Sequence, residues 1–358
     1  MLEDHVRTGA YFDAITNPLN APCFAGKVVL DVGAGSGILA LFAARAGARK
    51  VYAVEATPMA RHARALVEAN GFGDVVEVIQ GTVESVTLPE KVDVIVSEWM
   101  GYLLVRESML DSVLAARDAW LKPGGSLWPS HARLWLAPAR SHLAAARSAE
   151  FAASMAGWGG FQGEVDARYG VDVSALAPAF RAEQRLYYQE TSAWADVSPS
   201  DLLGPPACIA EFDLGTVTKA ELEAPLRGAF RLPLEAEEGA GAGAGGGDKQ
   251  PPASLCVDAF VGWFDVTFAG SPAAPAPHEV VLTTAPDEGG ATHWGQQVFP
   301  LSPPVRGAPG DALAGAITIT RRSDNHRLMS VGLEWGVEGG SALAKAAGGV
   351  RKAVFQVE

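Results

Sequence analysis

The stretch Val28–Ala48, VVLDVGAGSGILALFAARAGA, decides the fold. Residues 28–32 are apolar apart from Asp31, the texture of a strand buried on both faces. Gly33, Gly35 and Gly37 follow at alternate positions. Such glycines let the backbone turn tightly and approach a ligand closely. ILALFAARAGA (38–48) then reads as a helix, with Gly47 near its end. A strand, a glycine turn and a helix make the first unit of a parallel α/β sheet.

The pattern repeats downstream. KVYAVEA (50–56) reads as a strand, and PMARHARALVEANG (58–71) as a helix stopped by Asn70-Gly71. DVVEVIQG (74–81) and VDVIVSE (92–98) read as further strands. ESMLDSVLAARDAWL (107–121) has helical apolar spacing, and Lys122-Pro123-Gly124-Gly125 is expected to end it. Residues 1–128 are thus expected to form a Rossmann-like domain, a parallel sheet with helices on both faces.

After Pro129 the texture changes. ARLWLAP (132–138), LCVDAFVGWFDVTFAG (255–270), HEVVLTTAP (278–286), HWGQQVFPL (293–301) and ALAGAITITRRS (312–323) are strand-like runs between Pro/Gly turns. Residues 129–358 are therefore expected to be an antiparallel sandwich or barrel. Inside it, 142–195 is Ala-rich and helical, with aromatics such as Trp158, Phe161, Phe180 and Tyr187. Its apolar face needs cover, and a subunit interface and the parent domain are both open choices. EEGAGAGAGGGDKQPPA (237–253) reads as a flexible surface loop without a catalytic role.

Composition narrows the class. The chain has 358 residues, 48% of them hydrophobic, enough for a large core and two domains. Cys23, Cys208 and Cys256 lie far apart without metal-ligand spacing, so reduced thiols and no metal are expected. MLEDHVRTGAYFDAITNP lacks the apolar core of a signal peptide. No run approaches the ~18 apolar residues of a spanning helix, so no membrane partner is expected. A net charge of −13 disfavours direct nucleic-acid binding. It suits basic partners, or simply solubility.

The glycine loop points to a cofactor. A dinucleotide fingerprint would place its third glycine at position 38, which is Ile38. Here that glycine comes one residue early, and Asp31 stands two residues before the first. This spacing suits a nucleoside bound without pyrophosphate, as in S-adenosylmethionine (SAM) enzymes. Glu55 ends the second strand, where a carboxylate can accept hydrogen bonds from both ribose hydroxyls. Glu84, in GTVES, could meet an adenine amine or be an exposed turn acid. All these features fall at the carboxyl edge of the sheet, where open α/β folds bind ligands.

SEWMGYLLVRES (97–108) raises a different question. Glu98 follows the fourth strand, and Glu107 is expected at a helix start. Gly101 allows a reversal that would bring both acids beside the cofactor. Carboxylates in an apolar cleft require a cation. Guanidinium suits two of them best, since its five N–H donors form a fixed fork. A compact ammonium suits them less. The other reading of Glu107 is a helix-terminal acid stabilised by the dipole. Arg106 is not expected to be its partner, because adjacent residues at a helix start point different ways.

Taken in order, VLDVGAGSGILA, VEVIQGTVES, SEWMGYLLVRESML and Thr292-His293-Trp294 resemble the motifs of the type I protein arginine N-methyltransferase family. The resemblance covers nearly the whole chain. It implies a SAM-dependent methyltransferase domain, then a β-barrel domain with an inserted helical dimerisation arm at 142–195. It implies transfer of methyl from SAM to arginine nitrogens of proteins such as histones and Arg/Gly-rich proteins. The products would be monomethyl and asymmetric dimethylarginine, with S-adenosylhomocysteine left over. By resemblance, Arg7 binds the SAM carboxylate, and Asp31, Gly33, Gly35 and Gly37 line the methionyl and ribose region. Glu55 and Ala56 would meet the ribose, and Val83 and Glu84 the adenine. Glu98 and Glu107 would clamp the substrate guanidinium, and His293 would pair with Asp4 across the two domains. Met1, Met109 and Trp294 would shape substrate and product specificity; ordinary packing is the other reading of Met109. The proton acceptor stays open between Glu107 and the His293–Asp4 pair. The family carries a Tyr/Phe-rich helix before MLEDHVR, whereas this sequence opens at Met1. The resemblance also implies a nuclear or cytoplasmic location. Two other functions remain open: a small-molecule SAM methyltransferase, and a scaffold that binds basic tails.

Overall fold

The computed structural model describes residues 2–235, 254–287 and 292–357. Met1 and the 237–253 loop lie outside the described residues. The chain opens with helix α1 (His5–Thr16), whose N-cap Asp4 accepts the Arg7 N–H at 2.9 Å. Short helix α2 (Ala21–Phe24) leads into the first sheet.

That sheet holds β1 (Val28–Val32), β2 (Lys50–Glu55), β3 (Val76–Gln80), β4 (Val92–Val96) and β5 (Leu121–Trp128). All its pairings are parallel, in the order β3-β2-β1-β4-β5. Helices α3 (Ile38–Arg45), α4 (Ala60–Ala69) and α5 (Leu110–Trp120) connect the strands. The order reverses between β1 and β4, so a crevice opens beyond their carboxyl ends. β1 is buried at all five positions, as its unbroken apolar run requires.

One expectation fails at β5. Lys122-Pro123-Gly124-Gly125 does not merely end a helix; it lies inside the strand. Proline is tolerated there because β5 pairs only β4, with a register shift between Val92 and Val94.

The second half is antiparallel. Its strands are β6 (His131–Ala139), β7 (Ala193–Ala195), β8 (Ala207–Asp213), β9 (Leu226–Pro233), β10 (Leu255–Ser271), β11 (Ala274–Thr283), β12 (Gln296–Gly307), β13 (Ala312–Arg321), β14 (Met329–Glu338) and β15 (Arg351–Val357). One sheet runs β7-β12-β10-β6-β8, with β11 added on β10; the other runs β15-β14-β13-β9. The sheets share an aromatic core: Phe230 and Trp335 meet Phe260 at 5.6 and 5.5 Å, and Phe299 meets Phe355 at 5.3 Å.

The helical insertion is a hairpin of α6 (His142–Tyr169) and α7 (Ala177–Gln189). Trp158 stacks on Phe180 at 4.5 Å, so the arm packs on itself. In α6 only Ala144 is buried, and in α7 nothing is. The arm meets the β half at its base, where Ala144 packs with Ala139 and Val298 and Gln189 Nε2 donates to Ser302 Oγ at 3.2 Å, and most of its length lies outside that contact.

A second aromatic group joins the two halves. Phe268 meets Tyr11 at 4.8 Å and Trp128 at 6.4 Å, and Trp128 in turn rests on Phe24 at 4.9 Å. Arg321 of β13 grips Asp111 of α5 with two hydrogen bonds of 2.6 and 2.7 Å. These contacts fix the parallel sheet's carboxyl edge against the β half.

Candidate functional site

The glycine loop lies where β1 ends. Gly33, Gly35 and Gly37 have φ of 72°, 54° and 83°, a region that side chains rarely permit. The N–H groups of Gly33 and Ala34 both reach the Val54 carbonyl, at 2.9 and 3.0 Å. Beneath the loop, Asp31 is fully buried and accepts the Ala40 N–H at 3.0 Å. Burial pushes its carboxyl up to about 7, against that hydrogen bond.

Glu55 ends β2 and is 7% exposed. One of its oxygens takes the Gly35 N–H and the other the Thr57 N–H, each at 2.8 Å. The carboxylate is thus locked in orientation with lone pairs to spare. It lines a cleft of about 300 Å³ with Gly33, Ala56, Val83, Glu84 and Met109. The Ser112 hydroxyl holds Glu84 at 2.6 Å. Partial burial works to raise the Glu84 carboxyl, but this bond and nearby donors outweigh it and leave it below its usual value. The Met109 methyl occupies the space a side chain on Gly33 would need.

The loop that carries the two glutamates is held from several sides. Ser97 donates to the Val32 carbonyl at 2.8 Å and accepts from Tyr11 Oη, through its own carbonyl, at 2.8 Å. Trp294 Nε1 donates to the Met100 carbonyl at 3.0 Å. Leu103, Leu104, Glu107 and Ser108 all have positive φ, between 49° and 81°. Such conformations in non-glycine residues cluster at functional sites.

Glu98 follows β4 and is largely buried among charged neighbours. Burial pushes its carboxyl up to about 7, with the Arg7 guanidinium pulling the other way. Arg7 Nη1 donates to Glu98 Oε2 at 3.0 Å. The second oxygen, Oε1, is buried without a hydrogen-bond partner among the described residues. Arg7 also lies 3.3 Å from His293 Nε2 and 5.1 Å from the Trp294 ring centre. His293 Nδ1 faces Asp4 Oδ2 at 2.8 Å, and its backbone N–H reaches the same oxygen at 3.0 Å. Burial lowers the His293 pKa even though Asp4 opposes it.

The structure therefore brings Asp4, Arg7, Glu98, His293 and Trp294 together. Two expectations change. Glu107 is not at a helix start, because α5 begins at Leu110 and its first-turn acid is Asp111. Arg106 does contact Glu107, at 3.5 Å; the positive φ of Glu107 turns the chain so that the neighbours converge. Arg7 is salt-bridged to Glu98 beside the cofactor cleft. Sequence reasoning missed Arg327, which lies 3.4 Å from Glu107 across 220 residues and has no local signal.

A cleft at the switch point of a parallel sheet, lined by the glycine loop, Glu55 and Glu84 with Glu98 close by, is the arrangement of a SAM-dependent methyltransferase. Residues 29–125 match the family model of the methyltransferase domain, and residues 138–340 that of the arginine methyltransferase oligomerization subdomain. Over 333 residues the chain is 48% identical to protein arginine N-methyltransferase PRMT10 of Arabidopsis thaliana, covering 93% of this chain and 82% of that protein. It is 49% identical to PRMT10 of Oryza sativa subsp. japonica, covering 92% and 82%. The crystal structure of Arabidopsis thaliana protein arginine methyltransferase 10, in an open conformation, superposes with a TM-score of 0.89 at 46% identity, covering 100% of this chain and 96% of that one. A Trypanosoma brucei PRMT1 enzyme-prozyme complex with AdoHcy gives 0.78 at 32% identity, covering 100% and 96%.

The chain belongs to the protein arginine N-methyltransferase family. Its similarity is to PRMT10 members of that family, at 48% and 49% identity. It is an enzyme that methylates protein arginine with SAM as donor. The two other functions find no support in these matches.

Proposed function

We propose that Glu98 and Glu107 together hold the substrate guanidinium, and that Glu98 takes its proton. The unpartnered, buried Oε1 of Glu98 is the observation that carries this reading. A buried acceptor without a donor is costly, and an incoming N–H would satisfy it. Bound SAM supplies an electrophilic methyl on its sulfonium sulfur. Glu55 would hold the ribose and Glu84 the adenine. Gly33 and Gly35 would let the backbone approach. Arg7 would face the cofactor's carboxylate.

The substrate side chain is protonated at neutral pH and a poor nucleophile. The clamp orients it and holds the remaining positive charge near two anions. An incoming guanidinium favours ionised Glu98. Loss of the guanidinium's proton restores the preference for the protonated acid, which suits a base near pH 7. The Asp4–His293 pair ties α1 to the β half, and in this reading it would help close the pocket. Met109 and Trp294 would limit the room around the accepting nitrogen, and we assign asymmetric dimethylarginine as the product. Met1 would join them. Basic tails and Arg/Gly-rich segments would be the substrates, met in the nucleus or cytoplasm. Residues 1–128 and 129–358 act as cofactor and substrate domains, and the 142–195 arm makes the homodimer.

The test uses labelled SAM and an Arg/Gly-rich peptide. Glu98→Gln and Glu107→Gln should each cut turnover at least about a hundredfold, the scale of a lost acid–base group. SAM binding should stay within about twofold. Full turnover in either variant overturns the clamp. Amino-acid analysis of the product separates asymmetric from symmetric dimethylarginine.

A further inference from the structure

We propose that Arg327 is the resident counter-ion of Glu107, displaced by each incoming substrate arginine, and that it sets the KM for the peptide. The inference rests on Glu107 being half of the guanidinium clamp.

Arg327 lies in the turn between β13 and β14, and that turn is well built. Arg322 N–H donates to the Leu328 carbonyl at 3.0 Å, and Leu328 N–H to the Asn325 carbonyl at 2.9 Å. The Asn325 side chain caps the Arg327 N–H at 3.1 Å. The turn is fastened to the glutamate loop by two bonds. Glu107 N–H donates to the Arg327 carbonyl at 2.9 Å, and the Ser108 hydroxyl to the His326 carbonyl at 2.7 Å. Glu107 and Ser108 are left-handed at φ of 81° and 59°, a conformation their side chains disfavour. The turn thus holds Glu107 in its unusual conformation and, by the same contacts, sets the Arg327 side chain beside it.

The charges are arranged for exchange. Arg327 Nη2 lies 3.4 Å from Glu107 Oε2, and Arg106 Nη1 lies 3.5 Å from Oε1. Arg327 is 59% exposed and Glu107 45%. Ion pairs this long and this wet are weak. The neighbouring Arg321 is the contrast: it grips Asp111 with two short bonds and is largely buried. One arginine of this hairpin is a fixed tie and the other a loose contact. A substrate guanidinium can offer parallel N–H donors and reach Glu98 as well, which the single long Arg327 contact does not match. Arg327 opposes that entry in two ways. It holds the carboxylate that must be released, and it repels a second cation nearby. Both raise the KM, and neither touches the chemical step.

Steady-state kinetics at saturating SAM with an Arg/Gly-rich peptide test this on Arg327→Ala, Arg327→Lys and Glu107→Gln. Arg327→Ala should lower the peptide KM about threefold, the scale of one exposed ion pair, with kcat and the SAM Kd unchanged. Arg327→Lys should stay near the wild-type KM. Added salt should narrow the gap between wild type and Arg327→Ala. A purely structural residue would instead cost kcat and melting temperature. An unchanged or raised KM, or a fall in kcat, overturns the proposal. If Glu107→Gln loses turnover while Arg327→Ala leaves KM alone, only the counter-ion inference fails. If Glu107→Gln keeps full turnover, the clamp itself fails.

Discussion

Glu98→Gln should make the protein more stable above neutral pH while removing its activity. The Glu98 carboxyl titrates at about 7, against an ordinary value of 4.5. The folded state therefore keeps this proton over a range where the unfolded chain has released it. Stability from this group is highest below about pH 4.5 and falls as pH rises towards 7, with the full penalty above. Each factor of ten in proton affinity is worth about 1.4 kcal/mol, so the penalty is about 3 kcal/mol. Glutamine has the shape of the protonated acid and pays no such cost. The balance already includes Arg7, whose attraction for ionised Glu98 does not offset the burial.

Thermal melting at two pH values reads this out. At pH 5 the variant should melt near wild type. At pH 8 it should melt about 4 °C higher, taking ~2.1 cal/mol/K of unfolding entropy per residue. The buried Asp31, also raised to about 7, titrates in both proteins and cancels in the difference. An equal offset at both pH values would refute the reasoning, as would a variant less stable at pH 8. A stabilising change that abolishes turnover is expected where a site is built at the expense of the fold.

Much of this site was legible, and the gaps have physical causes. β1, β2 and β4 stand out because strands buried on both faces read as apolar runs between breakers. Glu55 and Glu98 followed from strand ends alone. β5 hid behind Lys122-Pro123-Gly124-Gly125, which reads as a turn because proline and glycine rarely enter strands. β14 alternates in burial over 329–336, and MSVGLEW (329–335) carries a usable period-two signal. Asp4 at the N-cap announces helix α1 in the same local way. The environment of Glu107 is a different matter. Leu103, Leu104, Glu107 and Ser108 adopt a conformation their residue types disfavour, so propensity argues against the truth there. What holds them includes the turn at 325–327, and no local pattern links segments that distant.

Further outcomes follow from the packing. Asp111→Ala leaves the largely buried Arg321 guanidinium without its bidentate partner, and should cost about 3 kcal/mol in denaturant unfolding. Gly101→Ala places a methyl on the Arg106 carbonyl, which is backbone and cannot swing away. It should cut turnover more than about tenfold, with SAM binding by titration near normal. The arm supplies the last expectation. Tyr169 of α6 and Leu186 of α7 are 67% and 46% exposed, in helices where Ala144 alone is buried. The hairpin is held instead by Trp158 between Phe180 and Phe161 and by the Ser154–Gln184 bond at 2.8 Å, neither of which involves these two side chains. Charging them, as Tyr169→Glu with Leu186→Glu, should therefore leave the hairpin folded and its circular dichroism unchanged. Two charges placed in a subunit contact lose hydration without gaining partners. Sedimentation should then show monomers where the wild type shows dimers, with turnover lowered. A double variant that still sediments as a dimer would remove the arm from the interface.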